Sequence, residues 1–162
     1  TFMSWTYKQN EIGDISQFPE NTLGFIYMTT HKASGKSYIG KKVLYHTKKM
    51  KIGKRELAKM EHVVGRKPSY RLAVKESDWK TYYGSQAAIK QVLLEEGPEA
   101  FSREILKFAT TKKLLTYYEV KYQMVYQVLE KPEEFYNDNI LGKFYTKDFA
   151  ETKFEDFLEL DK

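Results

Sequence analysis

The chain contains no cysteine among its 162 residues, and this absence removes several kinds of chemistry. Without cysteine there is no disulfide framework, no thiolate zinc ligand and no thiol nucleophile. Long apolar runs are also missing, whereas a membrane-spanning helix needs about 20 consecutive apolar residues. The N-terminal residues show no signal-peptide pattern. We therefore expect a cytoplasmic protein with no membrane partner.

Hydrophobic residues make up 41% of the chain, which is enough to build a buried core. No internal repeat, low-complexity segment or linker divides the sequence. We therefore predict a single domain over residues 1–162. Within it we distinguish an N-terminal arm (1–22) that packs over the core, a basic insertion (41–80) and an acidic, amphipathic C-terminal helical tail (147–162).

Positive charge is concentrated in the first half of the chain. Residues 1–81 carry 16 Lys or Arg and 7 Asp or Glu, and most of the excess lies in the insertion. A basic patch raises the affinity and association rate for polyanions, nucleic acid first. Aromatic residues interleaved with the cations fit a surface that follows phosphates and stacks on exposed bases. The alternative is a flexible, solvated basic loop, in which a short helix over residues 54–63 is the one element that the pattern predicts.

Two runs rich in β-branched and aromatic residues, 23–29 and 37–43, predict a β-hairpin. The segment between them contains Gly, Ser and Lys, as turns do. If the hairpin is symmetric about this gap, Tyr27 lies opposite Tyr38. Because cross-strand partners point to the same side of a sheet, two phenols would share one face.

Downstream, the pattern predicts a helix, a strand and a second helix. Ser85 is the expected cap of a helix over residues 86–96, which Gly97 and Pro98 end. A strand is expected over 101–108, and a long helix from Thr110 or Thr111 to about residue 130. The apolar stripe of this long helix consists of Leu115, Tyr118, Tyr122, Val125 and Leu129.

Glu119 lies beside that stripe, at the edge of an apolar surface. A carboxylate in such a position is costly unless it is paired or binds a metal. A half-exposed surface glutamate is the common alternative.

The order of these segments resembles the GIY-YIG nuclease superfamily, and most closely its small stand-alone members encoded by bacteriophages. The first triplet is Phe25-Ile26-Tyr27, with Phe in the position of Gly, and the second, Tyr38-Ile39-Gly40, is intact after ten residues. Further matching segments are residues 38–42, 76–85, 101–106 and 136–140. The resemblance covers residues 23–145 and implies an α+β fold with a small three-stranded antiparallel sheet flanked by helices.

The resemblance also implies a set of site residues. The implied catalytic residues are Tyr27, Tyr38, Arg71, Glu119 and Asn137, with Glu119 as the metal ligand. Asn139 is the alternative to Asn137; Arg66 and Arg55 are alternatives to Arg71, and Lys41 and Lys42 could share the role of the arginine. The basic residues expected to bind DNA are Lys41, Lys42, Lys48, Lys49, Arg55, Arg66, Lys67 and Lys80.

These residue types fit phosphodiester hydrolysis. One carboxylate and several waters can hold Mg²⁺ or Mn²⁺, and a nearby cation can neutralise the phosphate. Either tyrosine could orient or deprotonate the attacking water. Together with these residues, the resemblance implies a metal-dependent DNA endonuclease, phage-encoded and either homing-type or DNA-degrading, with RNA left open as a substrate. Cutting both strands would require a homodimer or sequential nicks.

Two other functions remain open from the sequence. One is a nucleic-acid-binding module whose nuclease site is idle, which the basic insertion favours. The other is a protein-interaction domain that works through the acidic C-terminal tail.

Overall fold

The structure is a computed structural model that describes residues 4–60, 65, 66 and 68–149. Within that part of the chain, the β-strands are β1 (Trp5–Tyr7), β2 (Asn10–Ile12), β3 (Gly24–His31), β4 (Ser37–Val43), β5 (Tyr45–Lys51), β6 (Tyr70–Glu76), β7 (Phe101–Ala109), β8 (Asn139–Ile140) and β9 (Phe144–Tyr145). The α-helices are α1 (Lys54–Lys59), α2 (Ala87–Glu96) and α3 (Lys112–Val125). Short 3-10 helices span Ile15–Gln17, Trp79–Thr81, Pro98–Ala100 and Thr146–Phe149.

No helix in these described residues is both long and apolar enough to cross a membrane.

The central sheet has the strand order β2-β1-β7-β3-β4. Strand β3 lies antiparallel to both β4 and β7, so the predicted α+β class and its three antiparallel strands are confirmed. The sheet is larger than predicted, because β1 pairs in parallel with β7 and β2 extends the edge. Part of the N-terminal arm is therefore sheet. Trp5 anchors it: its buried indole donates a hydrogen bond to the carbonyl of Trp79 at 2.7 Å.

Strand β3 is covered on both faces, and its first five residues, Gly24 to Met28, carry no polar side chain other than the phenol of Tyr27. Phe25 and Tyr27 point into an aromatic layer with Trp5 and other rings. Ile26 points to the opposite face, where it packs in a cluster with Leu115 of α3. Since α3 covers that face, Glu119 at the edge of α3 lies beside the exposed Lys41 of β4.

The hairpin register differs from the symmetric one. Tyr27 pairs with Gly40, and Tyr38 pairs with Thr29, so the prediction that the two tyrosines lie directly opposite each other was wrong. The turn is displaced because Gly35, at φ +74°, bends the chain late in the gap. The two tyrosines still share a face, because Tyr38 and Gly40 are two residues apart on one strand.

Both predicted helices form, with different ends. The side-chain oxygen of Gln86, not Ser85, caps α2 by accepting from two backbone N–H groups, and Gly97 ends the helix as expected. Thr111 caps α3. This helix is shorter than predicted, and Val125, counted in the apolar stripe, is 69% exposed.

The insertion forms a second, separate sheet. Strands β5 and β6 pair antiparallel over seven residues each, and α1 lies between them in the sequence. We call these two strands the ribbon. The predicted helix over 54–63 is confirmed for Lys54–Lys59, while residues 61–64 fall outside the described part of the chain. Most of the predicted C-terminal tail, residues 150–162, also lies outside the described residues.

Candidate active site

A cleft of about 500 Å³ opens between β4, the start of α2, α3 and the segment that leads into β8. Its lining is mostly polar. The lining residues are Tyr38, Lys41, Ser85, Gln86, Ala87, Glu119, Gln123, Asn137, Asp138, Asn139, Leu141 and Gly142. The cleft therefore brings together Tyr38, Lys41, Glu119 and both candidate asparagines, which are distant in the sequence.

The two tyrosines occupy different environments. Tyr38 lines the cleft, and its hydroxyl lies 3.3 Å from the hydroxyl of Ser85. Tyr27 is 1% exposed and lies behind Tyr38, with 6.2 Å between the ring centroids. A Cβ atom at Gly40 would lie 2.6 Å from the Tyr27 hydroxyl, so glycine is required for this packing. The cleft therefore exposes one phenol and buries the other.

Burial governs the acidity of both phenols. It raises the pKa of Tyr27 well above its usual value, and the neighbouring rings of Tyr82 and Tyr38 raise it further. Burial also raises the pKa of Tyr38, although the hydrogen bond with Ser85 opposes this change. Both groups are consequently neutral phenols near neutral pH.

Glu119 is the carboxylate that α3 presents to the cleft. Its side chain is 19% exposed, and one of its oxygens lies 3.9 Å from the ammonium of Lys41 on β4. Burial raises the pKa of Glu119, and the charge of Lys41 partly offsets that effect. The same ammonium donates a hydrogen bond to the Thr116 hydroxyl at 2.9 Å, one turn earlier on α3. Helix α3 and strand β4 thus hold the Glu119 carboxylate and the Lys41 ammonium side by side.

Asn137 is buried, and its amide pairs with the backbone of Ile39. Its Nδ2 donates to the Ile39 carbonyl at 2.8 Å, and its Oδ1 accepts from the Ile39 N–H at 3.0 Å. Gln123 of α3 donates to the same carbonyl at 3.0 Å. These bonds fasten the segment before β8, and α3, to the strand that carries Tyr38. Asn139 is exposed and bonds within its own turn, to Asp138 and Gly142.

The structure does not bring Arg71 to the cleft. Arg71 lies on β6 in the ribbon, where its guanidinium is 3.5 Å from Glu56 of α1. The alternatives Arg55 and Arg66 are exposed and lie in the same insertion, outside the cleft lining. Among the described residues, Lys41 is the only Lys or Arg that lines the cleft.

The remaining predicted basic residues are distributed over the surface. Lys48 and Lys49 are exposed on the ribbon, and Lys67 lies outside the described residues. Lys42 packs over the Tyr82 ring and pairs with Asp78, whereas Lys80 lies 3.9 Å from Asp14.

A further arginine, Arg103 on β7, serves the core. Its guanidinium lies between the rings of Trp5 and Tyr83 and donates to the carbonyls of Lys80 and Tyr82. Burial lowers the pKa of Arg103 to about 10, so it remains charged. It joins β7 to the segment that precedes α2 and does not line the cleft.

Sequence reasoning missed part of the cleft lining. Ser85 was interpreted only as a helix cap, although it contacts Tyr38. Gln123 was not singled out, although it lies one helical turn after Glu119 and is buried. Asp138 adds a second carboxylate to the lining, and its position between the two candidate asparagines was the available signal.

The donor set fits a hard cation that keeps most of its waters. Among the described residues, no group of three or more His, Cys, Asp or Glu side chains is arranged to enclose a metal ion. Glu119 alone offers a recessed carboxylate, and Mg²⁺ is commonly held by one or two carboxylates plus waters and substrate phosphate. The cleft therefore fits Mg²⁺ or Mn²⁺ better than a metal that needs a full protein cage.

The central sheet and its helices are consistent with the fold of a GIY-YIG nuclease, the class that the hairpin motifs resemble. A family model described as "Putative endonuclease segE, GIY-YIG domain" matches residues 5–140, so the chain belongs to this GIY-YIG endonuclease-domain family. The match extends over β1 and β2 at one end and over Asn137 and Asn139 at the other. No curated protein and no solved structure matches the chain.

Proposed function

We propose that this protein is a divalent-metal-dependent DNA endonuclease that hydrolyses phosphodiester bonds in the cleft. The observation that carries the proposal is the recessed Glu119 carboxylate beside Lys41, in one cleft with the half-buried phenol of Tyr38, in a chain of this endonuclease family. The Glu119 side chain is recessed and burial raises its pKa, so a cation bound beside it would stabilise the ionised carboxylate.

Glu119 would hold the metal, together with water and substrate oxygens. Mg²⁺ or Mn²⁺ bound there supplies Lewis-acid stabilisation of the phosphate and of the leaving oxygen. Lys41 would contact a non-bridging phosphate oxygen, taking the part that the sequence assigned to Arg71. Arg71 is then better placed to bind DNA away from the cut.

Tyr38 would orient the attacking water. Because burial raises the pKa of Tyr38, the phenol is protonated near neutral pH and can donate one hydrogen bond and accept another. To act as a general base it would need the positive charge of Lys41 or of the metal nearby. Tyr27, buried behind it, would position the Tyr38 ring. Asn137 would keep β4 and the segment before β8 in register.

The DNA partner is supported by charge. The exposed cations Lys48, Lys49, Arg55 and Arg66 lie in the insertion, and Lys41 carries the charge into the cleft. We further propose that the enzyme is phage-encoded and acts in the cytoplasm of the host. With one cleft per chain, it would cut both strands as a homodimer or by sequential nicks.

The test is the conversion of supercoiled plasmid by the wild-type protein, Glu119→Gln and Glu133→Gln, each with Mg²⁺, Mn²⁺ or EDTA. Glu133 is exposed and outside the cleft lining, so its variant matches the charge change. We expect metal-dependent nicking by the wild type and Glu133→Gln, and a loss of at least about 100-fold in Glu119→Gln. Plasmid that stays supercoiled with both metals would contradict the proposal.

A binding module with an idle nuclease site is the second candidate, favoured by the exposed basic ribbon. It predicts salt-sensitive DNA binding that survives Glu119→Gln, with no cleavage by the wild type. Metal-dependent cleavage that disappears in Glu119→Gln rejects it.

A further inference from the structure

The ribbon presents its side chains to solvent on both faces. Every residue of β5 is exposed, and in β6 only Ala73 is half-buried. Tyr70, Leu72 and Val74 are 58%, 67% and 64% exposed. A two-stranded hairpin is marginally stable by itself, and exposed apolar side chains of this kind mark an interaction surface. The ribbon therefore has the exposure expected of a surface that binds a partner.

The two faces of the ribbon differ in charge. Register places six side chains on one face, in three cross-strand pairs: His46 with Lys75, Lys48 with Ala73, and Met50 with Arg71. We call this the basic face, because it has three cations and none of its six side chains is a carboxylate; Arg71 is paired with Glu56 of α1, and no ion pair is found for Lys48 and Lys75 among the described residues. The opposite face carries the exposed apolar residues together with Lys49, Lys51 and Glu76, so it has two cations and one carboxylate. The larger positive charge of the basic face favours a polyanion as its partner.

The base of the ribbon is fastened to the sheet that carries the cleft. A single residue, buried Leu44, separates the end of β4 from the start of β5. The Leu44 carbonyl accepts from the Ser77 N–H at 2.8 Å, and the Ser77 hydroxyl donates to the Val43 carbonyl at 2.6 Å. Since both strands are held at this point, the ribbon continues outward from the strand that supplies Lys41.

Its dimensions fit duplex DNA. Seven residues at about 3.3 Å each give strands roughly 23 Å long. The major groove of B-DNA is about 12 Å wide and admits a two-stranded β-ribbon, and it displays base edges that accept hydrogen bonds from lysine and arginine. Single-stranded DNA or RNA offers no such groove.

We propose that the basic face of the ribbon inserts into the major groove of duplex DNA beside the cut site. This inference rests on the proposed function and narrows its substrate to the duplex. From Lys41 to Tyr45 is four residues, and from Lys41 to Lys51 ten, or about 13 to 33 Å of extended strand. At 3.4 Å per base pair, the ribbon covers base pairs about 4 to 10 from the scissile phosphate, on one side.

The test compares Lys48→Ala/Lys75→Ala with a control of equal charge, Lys32→Ala/Lys36→Ala. The control lysines lie in the β3–β4 turn, at the other end of β4 from the ribbon. Affinity for a duplex and for its single strand is measured in EDTA over a range of salt concentrations, so that binding is read without cleavage. Thermal unfolding confirms that both variants fold.

We expect the ribbon variant to lose about tenfold or more in duplex affinity. The slope of log affinity against log salt should fall by about 1.8, which corresponds to two phosphate-type contacts. The control should keep the wild-type values. Protection of guanine N7 from dimethyl sulfate reports on the major groove directly, and it should appear with the wild type and fade with the ribbon variant.

Equal duplex binding by the two variants, or guanine N7 that stays reactive under bound wild-type protein, would overturn the proposal. Failure of the proposed function gives a different pattern. In that case the duplex still binds through the ribbon, but plasmid stays intact with metal. The two inferences can therefore fail separately.

Discussion

Gly40 determines how the two tyrosines share one side of the hairpin. Tyr27 faces it across the strands, and Tyr38 precedes it by two residues. Any larger residue would bring a Cβ within 2.6 Å of one phenol and 2.8 Å of the other ring. Because only glycine leaves this space, the Tyr27 side chain can occupy it and pack behind the ring of Tyr38 at the cleft.

This difference in exposure predicts different effects of removing each hydroxyl. Tyr38→Phe should lower the single-turnover cleavage rate by about 100-fold or more, because the lost hydroxyl lines the cleft and is the group proposed to orient the attacking water. Tyr27→Phe removes a hydroxyl that the cleft does not expose, so its rate should stay within about tenfold of the wild type. Single-turnover kinetics with excess enzyme measure both. A larger loss in Tyr27→Phe would assign the water to the buried phenol instead.

Under the proposed function, the ionisation of Glu119 links metal binding to pH. Burial raises its pKa in the folded state above the unfolded value, so folded protein binds more protons at this site between the two values. Its contribution to the free energy of unfolding is therefore present at low pH and decreases as pH rises through that window. Metal requires the ionised carboxylate, so metal affinity changes with pH in the opposite direction.

We predict that Glu119→Gln, in EDTA, gains stability relative to the wild type as pH rises from about 4 to about 8. Mg²⁺ at about 100 times its dissociation constant should stabilise the wild type by about 2.7 kcal/mol at neutral pH, and less under acid conditions. It should leave Glu119→Gln unchanged. Thermal unfolding with and without Mg²⁺ measures both effects. Equal stabilisation of the variant would place the metal elsewhere.

At the level of elements, Asn137 joins the segment before β8 to β4. The Asn137 side-chain amide makes two hydrogen bonds to the backbone of Ile39, in the place where a further strand would pair with the edge of the sheet. Ser37 and Phe135 form an isolated parallel bridge nearby, and this bridge shows the same direction of pairing. These bonds hold the part of β4 that carries Tyr38 and Lys41, so we expect Asn137 to position those two residues.

Replacing the two candidate asparagines separates a positioning role from a surface role. Asn137→Ala loses two buried hydrogen bonds and leaves the Ile39 N–H without its partner, so it should destabilise the protein by about 2 to 4 kcal/mol. Asn139→Ala lies on the exposed turn and should cost no more than about 1 kcal/mol. Urea unfolding of both variants measures the difference. A reversed order would mean that the turn, not the buried amide, holds the segment.

The sequence predicted the elements with strong periodicity and missed those that depend on tertiary contacts. Strand β4, the cap at Thr111 and the stop at Gly97 follow local rules, and they form as predicted. The hairpin register depended on which residue of the gap adopts a positive φ, and composition does not reveal that. Strands β1 and β2 are short, and they form because Trp5 is buried against the carbonyl of Trp79.

The ribbon was the least predictable element, and Arg71 shows why. Its strands are exposed on both faces, and β5 lacks the alternation of polar and apolar residues that identifies a strand. Arg71 was assigned to the cleft from its place in the sequence between β4 and Glu119. In the ribbon the chain leaves the central sheet and returns to it. The position of a residue in the sequence between β4 and Glu119 therefore does not indicate its distance from the cleft.

For the whole molecule, these observations separate two parts with different tasks. The body, which consists of the five-stranded sheet with α2 and α3, contains the cleft and all three buried clusters. The ribbon contributes none of the buried residues of those clusters. Stability and chemistry should therefore reside in the body, and affinity for the duplex in the ribbon.

This separation predicts the result of shortening the ribbon. Replacing residues 47–74 with an Asn-Gly turn closes the hairpin on the cross-strand partners His46 and Lys75. The shortened protein should keep a cooperative thermal transition, because the deletion removes buried Ile52 but no residue of the three buried clusters. It should bind duplex DNA at least about tenfold more weakly, because most ribbon cations are gone. At saturating DNA it should still nick in a metal-dependent manner, within about tenfold of the wild-type rate.

Circular dichroism, gel shift in EDTA and single-turnover nicking measure these three properties on one preparation. The same shortening in the Glu119→Gln background is the matched inactive control. A shortened protein that fails to fold would show that the ribbon supports the core, and one that keeps full affinity would place duplex recognition on the body. Weak binding with an intact rate would mean that the ribbon brings DNA to the cleft, whose own residues then perform the cut.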